Sequence, residues 1–261
     1  MVFLKLFTVF ALFNSFALSV KHLQTGDALP PFSGNLRLFA MRFCPFSERA
    51  VLVLNAKNIT YDIVFINLKQ RPEWFSAYSP KGTVPALEYE KGKAIFDSNI
   101  ITTYLDEKYP DKQLQAADPL GRAQDKMIIE NFNNAQTAYS KASKAQDDPA
   151  QVDAFHKGLL GLQQELERRG PGYLHGAEPG WVDYTLWPFL ERFGSLTLLG
   201  KPEYAIDQSK YKLLTSYISA MKAAPAVQQY CLSPATHAQY THTNNRGKPD
   251  YDMALNSTNT C

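Results

Sequence analysis

The stretch Leu36-Arg37-Leu38-Phe39-Ala40 alternates apolar and polar positions before closing on apolar residues, which predicts a β-strand. A few residues later Ala50, Val51 and Leu54 carry the apolar spacing of an amphipathic helix. Tyr61 to Ile66 alternates again and is rich in β-branched residues, a second strand. Val84-Pro85-Ala86-Leu87-Glu88-Tyr89, then Glu90-Lys91-Gly92-Lys93, then Ala94-Ile95-Phe96, reads as a β-hairpin. Asp97-Ser98 caps a helix bearing Ile100, Ile101, Tyr104 and Leu105, which Pro110 stops. Past Asp118-Pro119 the strand signal vanishes. Phe155, Leu159, Leu162 and Leu166 repeat at helical spacing, and Val182 to Phe193 and Leu213 to Met221 read as further helices.

The order β-α-β, then β-β-α, over residues 35–110 is thioredoxin-like, a mixed sheet with helices on its faces. The expected fold is therefore an α/β thioredoxin-like N-terminal domain over 34–112 and an all-α C-terminal domain over 118–250. Residues 20–33 form an N-terminal extension and 251–261 a polar tail. The first nineteen residues stand apart: one early lysine, a run from Leu6 to Leu18 that is apolar except at Thr8, Asn14 and Ser15, and small residues at Ala17 and Ser19. This predicts a cleaved secretory signal, since the run is too short and interrupted to span a bilayer well. Secretion would make the sequons Asn58-Ile59-Thr60 and Asn256-Ser257-Thr258 candidates for glycosylation.

Composition narrows the function classes. The chain has 261 residues, 45% hydrophobic and 20% charged, enough apolar material for one large core or two smaller ones. A formal charge of +2 without basic runs points away from nucleic acid. Cys44, Cys231 and Cys261 have the spacing of neither a zinc site nor a disulfide framework. His237 and His242 lie in a polar region and read as solvated. No metal is expected.

The chemistry concentrates at Phe43-Cys44-Pro45-Phe46-Ser47-Glu48-Arg49. Cys44 falls at a strand-to-helix turn, with Pro45 at the first helical position, where its missing N–H costs nothing. A thiol there faces unpaired backbone N–H groups and the positive end of the helix dipole, which favour the thiolate, and Arg42 and Arg49 add positive charge. A buried, inert cysteine is the bland alternative. Ser47 stands where dithiol enzymes have a second cysteine, so a redox cycle would need an external thiol. Thr83-Val84-Pro85 suggests either an ordinary trans proline at a strand start or a cis proline turn presenting Val84's backbone to an extended peptide, and Asp97-Ser98, which alone reads as a plain N-cap, offers N–H groups to a carboxylate and a carboxylate to an ammonium. Together with Cys44 these outline a site for glutathione.

Arg42-Phe43-Cys44-Pro45-Phe46, Asn67-Leu68-Lys69 with Pro72-Glu73-Trp74, Val84-Pro85-Ala86-Leu87-Glu88, Tyr104 to Pro110 and Trp187-Pro188-Phe189-Leu190-Glu191-Arg192 resemble the omega-class glutathione transferases. The resemblance runs over roughly residues 21 to 252. Gln124-Asp125-Lys126, Glu167 to Gly170 and Asp207-Gln208-Ser209 are similar to insect members, pyrimidodiazepine synthases among them. It implies catalysis by a mixed disulfide between Cys44 and glutathione, with thioltransferase and dehydroascorbate reductase activity on small oxidised or electrophilic substrates. It further implies that Val84 pairs with the cysteinyl backbone, that Asp97 and Ser98 hold the γ-glutamyl end, and that Arg71 takes the glycyl carboxylate. Phe46, Phe189, Arg192 and Tyr217 would line the cosubstrate pocket. Gly180 replaces a helix-capping Ser or Thr, which leaves Asp183 to stabilise that helix start. A homodimer without a stable membrane span is expected. Two alternatives come with the same residues: a chloride intracellular channel-like protein that inserts into membranes, and a non-catalytic glutathione- or ligand-binding protein.

Overall fold

A computed structural model describes residues 21–144 and 148–255. Four strands, β1 (Leu36–Ala40), β2 (Tyr61–Phe65), β3 (Ala86–Glu90) and β4 (Lys93–Phe96), form one sheet in the order β2-β1-β3-β4. β1 and β2 are parallel, with Leu38 opposite Ile63, while β1–β3 and β3–β4 are antiparallel. The parallel pair needs a crossover, and α1 (Pro45–Ala56) supplies it. α2 (Ser98–Lys108) follows β4 after Asp97, whose carboxylate accepts the N–H groups of Asn99 and Ile100. Every strand and both helices lie where apolar spacing places them. Leu38, Val53, Ile63, Leu87 and Ile101 meet in the core of this half.

The second half holds α3 (Pro119–Ala142), α4 (Pro149–Arg169), α5 (Trp181–Leu198), α6 (Lys212–Ala223), the single turn α7 (Pro225–Gln228) and α8 (Pro234–Asn245). Three of these starts pair an N-capping side chain with proline at the next position: Asp118, Asp148 and Ser233. α5 is its central element and is buried along most of its length. It begins without a capping side chain at Gly180, and Asp183 compensates. Its carboxylate accepts the N–H groups of Gly180 (2.8 Å), Leu174 (2.8 Å) and His175 (3.1 Å). A side chain at Gly180 would require His175 to shift, because a Cβ there would lie 2.3 Å from the His175 ring.

Two buried clusters join the halves. The Asp106 carboxylate receives Lys57 Nζ at 2.8 Å and the N–H groups of Leu114 and Gln115, which pins the linker to α2. Trp181 then reaches back, its Nε1 donating to Thr102 Oγ1 at 2.9 Å. Nearer the sheet's end, Arg49 Nε donates to the Thr185 carbonyl (2.8 Å) and Arg192 pairs with Glu48 at 2.6 Å, both α1 side chains being buried. The halves therefore share one core rather than meeting at a wet interface.

Both chain ends depart from the pattern reading. The N-terminal extension is ordered against the sheet: Leu23 bridges Ile66 in parallel fashion, and Trp74 Nε1 donates to the Asp27 carbonyl. The tail is not simply polar, since Tyr251 and Ala254 are buried against the thioredoxin-like half. His237 is likewise not solvated. It lies on α8, buried, with Nε2 2.6 Å from Glu191 Oε1. Cys231 is disulfide-bonded, which the spacing of the cysteines did not suggest. The segment of residues 1–19 and the second sequon lie outside the described residues, whereas Asn58 is exposed in the left-handed turn that ends α1 (φ 52°).

Candidate active site

Cys44 is the N-cap residue of α1, extended at φ −79° and ψ 118°, and Pro45 follows at the first helical position. Its carbonyl accepts the Glu48 N–H, the first bond of the helix. The thiol is more enclosed than an exposed turn would make it, 8% accessible, with Sγ 3.9 Å from the Val84 carbonyl. The Val84–Pro85 peptide is cis rather than trans. Buried Ser79 braces that turn from below. Its hydroxyl donates to the Thr83 carbonyl (2.7 Å) and accepts the Thr83 N–H (3.2 Å).

Beside the thiol opens a cavity of about 290 Å³, lined by Cys44, Phe46, Tyr139, Phe189 and Tyr240 among others. Phe46 and Phe189 meet edge to face at 5.6 Å, and Phe43 stacks on Tyr240 at 4.0 Å. A larger space of about 1020 Å³ between α2 and α3 shares Phe46, Ser140, Lys144 and Phe189 with it. Of the four residues expected in the cosubstrate pocket, Phe46, Phe189 and Arg192 line the Cys44 cavity, and Tyr217 does not. Tyr217 is buried on α6 and its hydroxyl donates to Asp183 Oδ1 at 2.9 Å. It supports the start of α5, the task a capping residue at Gly180 would share. The aromatic residue on the cavity wall is instead Tyr240 on α8. The stretch around it is so polar that no apolar periodicity marks a wall.

Arg192 lines the cavity but its guanidinium is engaged below it, donating to Glu48 (2.6 Å), to the Phe43 carbonyl (3.3 Å) and to the Pro188 carbonyl. Glu191 extends the cluster to His237. Burial, with the charge of Glu191 adding to it, pushes the Glu48 carboxyl up to about 7, against the pull of Arg192. Burial drives the His237 imidazole well below its usual range, so it is neutral. Arg49 is a second buried cation, lying over the rings of Phe46 and Phe189 with its charge coupled to Cys44 and Asp97. Burial lowers it to about 10, which leaves it charged at neutral pH.

The peptide-binding candidates lie on other elements of the same half. Asp97 is exposed at the head of α2 with φ 82°, and Oδ1 serves as the helix cap. Ser98 is buried beside it, Val84 is buried next to the thiol, and Arg71 is exposed, its side chain lying across Gly82. Gly82 has φ 62°, and its bare Cα gives Arg71 room to pass.

Residues 43–108 match the glutathione S-transferase N-terminal domain and residues 126–231 the C-terminal domain. The chain is 40% identical to the pyrimidodiazepine synthase of Drosophila melanogaster, over 90% of this chain and 97% of that protein. It is 32% identical to glutathione S-transferase omega-1 of Mus musculus, over 89% of this chain and 96% of the relative. The chain belongs to the omega class of glutathione transferases. Among solved structures, glutathione transferase Omega 3C from Trametes versicolor is similar with a TM-score of 0.65 at 25% identity, over 76% of this chain and 88% of that one. Membership accords with a thioredoxin-like half followed by a helical half. It does not favour the channel-like reading, and no helix among the described residues is long and apolar enough to cross a membrane.

Proposed function

We propose that this omega-class transferase is a glutathione-dependent oxidoreductase working through a mixed disulfide on Cys44. The observation that carries the reading is Cys44 itself: the sole thiol at the head of α1, opening on an aromatic cavity, with Ser47 rather than a second cysteine one turn in. The Cys44 thiolate attacks a glutathione-bearing disulfide, forms Cys44–S–S–glutathione and releases the acceptor as its thiolate. A glutathione thiolate then attacks that bond, which frees Cys44 and yields oxidised glutathione. With dehydroascorbate as acceptor, two glutathione molecules supply the two electrons and two protons. Formation of a pyrimidodiazepine, the reaction in the name of the Drosophila relative, is a further candidate for the same cavity.

Glutathione would lie with its cysteinyl backbone against Val84, its γ-glutamyl end at Asp97 and Ser98 and its glycyl carboxylate at Arg71. A bidentate arginine suits that carboxylate. Ile100, exposed (55%) on the wall of the larger space, and Met127, exposed (64%) on α3, favour a two-fold dimer. The apolar run Leu6 to Leu18 supports entry into the secretory route, where Asn58 is exposed to a glycosyl transferase. Cleavage near Val20 with glycan on Asn58 or Asn256 supports that address; a cytosolic, unglycosylated chain retaining Met1 refutes it. The reaction is tested on the chain from Val20 onward, with glutathione and dehydroascorbate. Turnover that disappears in Cys44→Ala is expected, and full turnover in that variant would rule out the mechanism.

A further inference from the structure

The loop from β1 to Cys44 is held by residues far away in the chain. The Met41–Arg42 peptide group is gripped at both of its polar ends. Its carbonyl accepts the Cys44 N–H at 2.9 Å, and its N–H donates to His22 Nε2 at 3.2 Å. A nitrogen that accepts from Arg42 carries no proton, so the His22 proton sits on Nδ1. There it points at Asp252 Oδ1, 2.7 Å away, and the same oxygen accepts the His22 backbone N–H at 2.7 Å. Aromatic rings close the remaining sides, Phe65 at 5.0 Å and Tyr251 at 5.3 Å. The imidazole side chain is 1% exposed, while the Asp252 carboxylate reaches solvent.

The N-terminal extension thus supplies an acceptor to the active loop, and the C-terminal tail fixes that acceptor's tautomer. We infer that His22, oriented by Asp252, is a positioning residue for Cys44: it holds the Met41–Arg42 peptide in the one orientation that also bonds the Cys44 N–H, and so sets the thiol over the start of α1. The inference rests on Cys44 being the nucleophile. If His22 loses its acceptor, the peptide can rotate, and one rotation breaks both bonds. The Cys44 backbone then loses its anchor, and with it the sulfur loses its fixed place beside the Val84 carbonyl, 3.9 Å away. Nothing in this route touches Val84, Asp97, Ser98 or Arg71. The groups facing the imidazole are Asp252, with Asp250 and Arg42 acting at longer range.

The test reads Cys44 directly, in the folded chain from Val20 onward. The rate of alkylation by iodoacetamide, followed at Cys44 by peptide mass spectrometry, is measured against pH for the wild type, His22→Leu, His22→Gln and Asp252→Ala. Gln presents an oxygen near the position of Nε2, so it can still accept from Arg42. His22→Leu should alkylate about tenfold more slowly at neutral pH, with a rate–pH profile displaced from that of the wild type. His22→Gln should restore most of the rate, and Asp252→Ala should fall between. A merely structural His22 would lower the melting temperature and leave the pH profile of alkylation unmoved, which would overturn the inference. Should His22→Leu fail to fold, an Asp252→Ala variant whose alkylation rate and pH profile match the wild type would overturn it equally. Because alkylation needs no glutathione, this result stands apart from the turnover of Cys44→Ala, which tests the mechanism.

Discussion

Around Cys44, backbone groups bond to partners both near and far along the chain: Ser47 Oγ in the first turn of α1 accepts the Met41 N–H, His22 in the N-terminal extension accepts that of Arg42, and Arg192 in the helical half donates to the Phe43 carbonyl. At Asp97 the capping carboxylate accepts the N–H groups of the first turn of its own helix, and Arg71, the other proposed peptide ligand, lies exposed across a glycine. The first region is buried and cross-linked between the two halves of the molecule; the second is local and open. The difference suits the roles proposed for the two regions. A nucleophile has to be held in place before its partner arrives, while a peptide site can gain its last contacts from the ligand. Changes around the thiol should therefore cost stability, and changes at the peptide site should cost affinity.

The largest effect tests the buried side of that contrast. Arg192→Leu strands the buried Glu48 and Glu191 carboxylates, and should destabilise the fold by about 3–5 kcal/mol in urea unfolding. Glu48→Leu combined with Arg192→Leu should recover part of this, because Glu48 is then removed with its partner while Glu191 keeps its hydrogen bonds to His237, Trp187 and the Leu232 N–H. A double variant as unstable as the sum of the singles would mean that the pair does not couple the halves.

Next comes pH. Burial, opposed by Asp252, lowers the His22 imidazole from 6.5 to about 4. The unfolded chain therefore binds a proton in this window that the folded chain refuses, and the stabilisation present above pH 6.5 is lost as pH falls towards 4. The loss is on the order of 3 kcal/mol. Glu48, whose carboxyl is raised, works in the opposite sense, but it titrates in the wild type and in His22→Gln alike. The difference between their stability–pH curves isolates His22, and parallel curves would remove it from the account.

Tyr217→Phe sharpens the boundary of the site. It deletes one of the hydrogen bonds to buried Asp183, and should cost about 1–2 kcal/mol while leaving turnover with dehydroascorbate unchanged. A changed acceptor preference would return Tyr217 to the cavity. The smallest stability effect belongs to the open region. Asp97→Asn keeps an oxygen for the cap, so stability should stay within about 0.5 kcal/mol while the KM for glutathione rises. Arg71→Ala should raise it less, because the pair it makes is near solvent. Isothermal titration with glutathione checks both, and equal, negligible changes would place the peptide elsewhere.

What was legible in the sequence divides along the same line. The strands, the hairpin, α1, α2 and the Cys44–Pro45 helix start rest on alternation, spacing and caps within a few residues, and all are found where those signals place them. Hidden were the features whose partners lie far along the chain. His237 looks solvated because its neighbours are polar, yet Glu191, 46 residues earlier, takes it into the interior. Tyr240 carries no apolar period, and becomes a cavity wall only when α8 lays it on Phe43. Tyr217 has the right residue type for a pocket and the wrong address, because Gly180 leaves Asp183 needing another donor. His22 and Asp252 are separated by 230 residues, and each alone reads as a surface polar group.

In the proposed mechanism Cys44 accepts glutathione as a mixed disulfide. The most direct measurement is the intact mass of the chain from Val20 after exposure to oxidised glutathione, followed by reduced glutathione. The wild type should gain one glutathionyl group, mapped to Cys44 and removed by reduced glutathione, and Cys44→Ala should gain none. An adduct that persists in Cys44→Ala, or a wild-type protein that stays unmodified while still turning over dehydroascorbate, would contradict it.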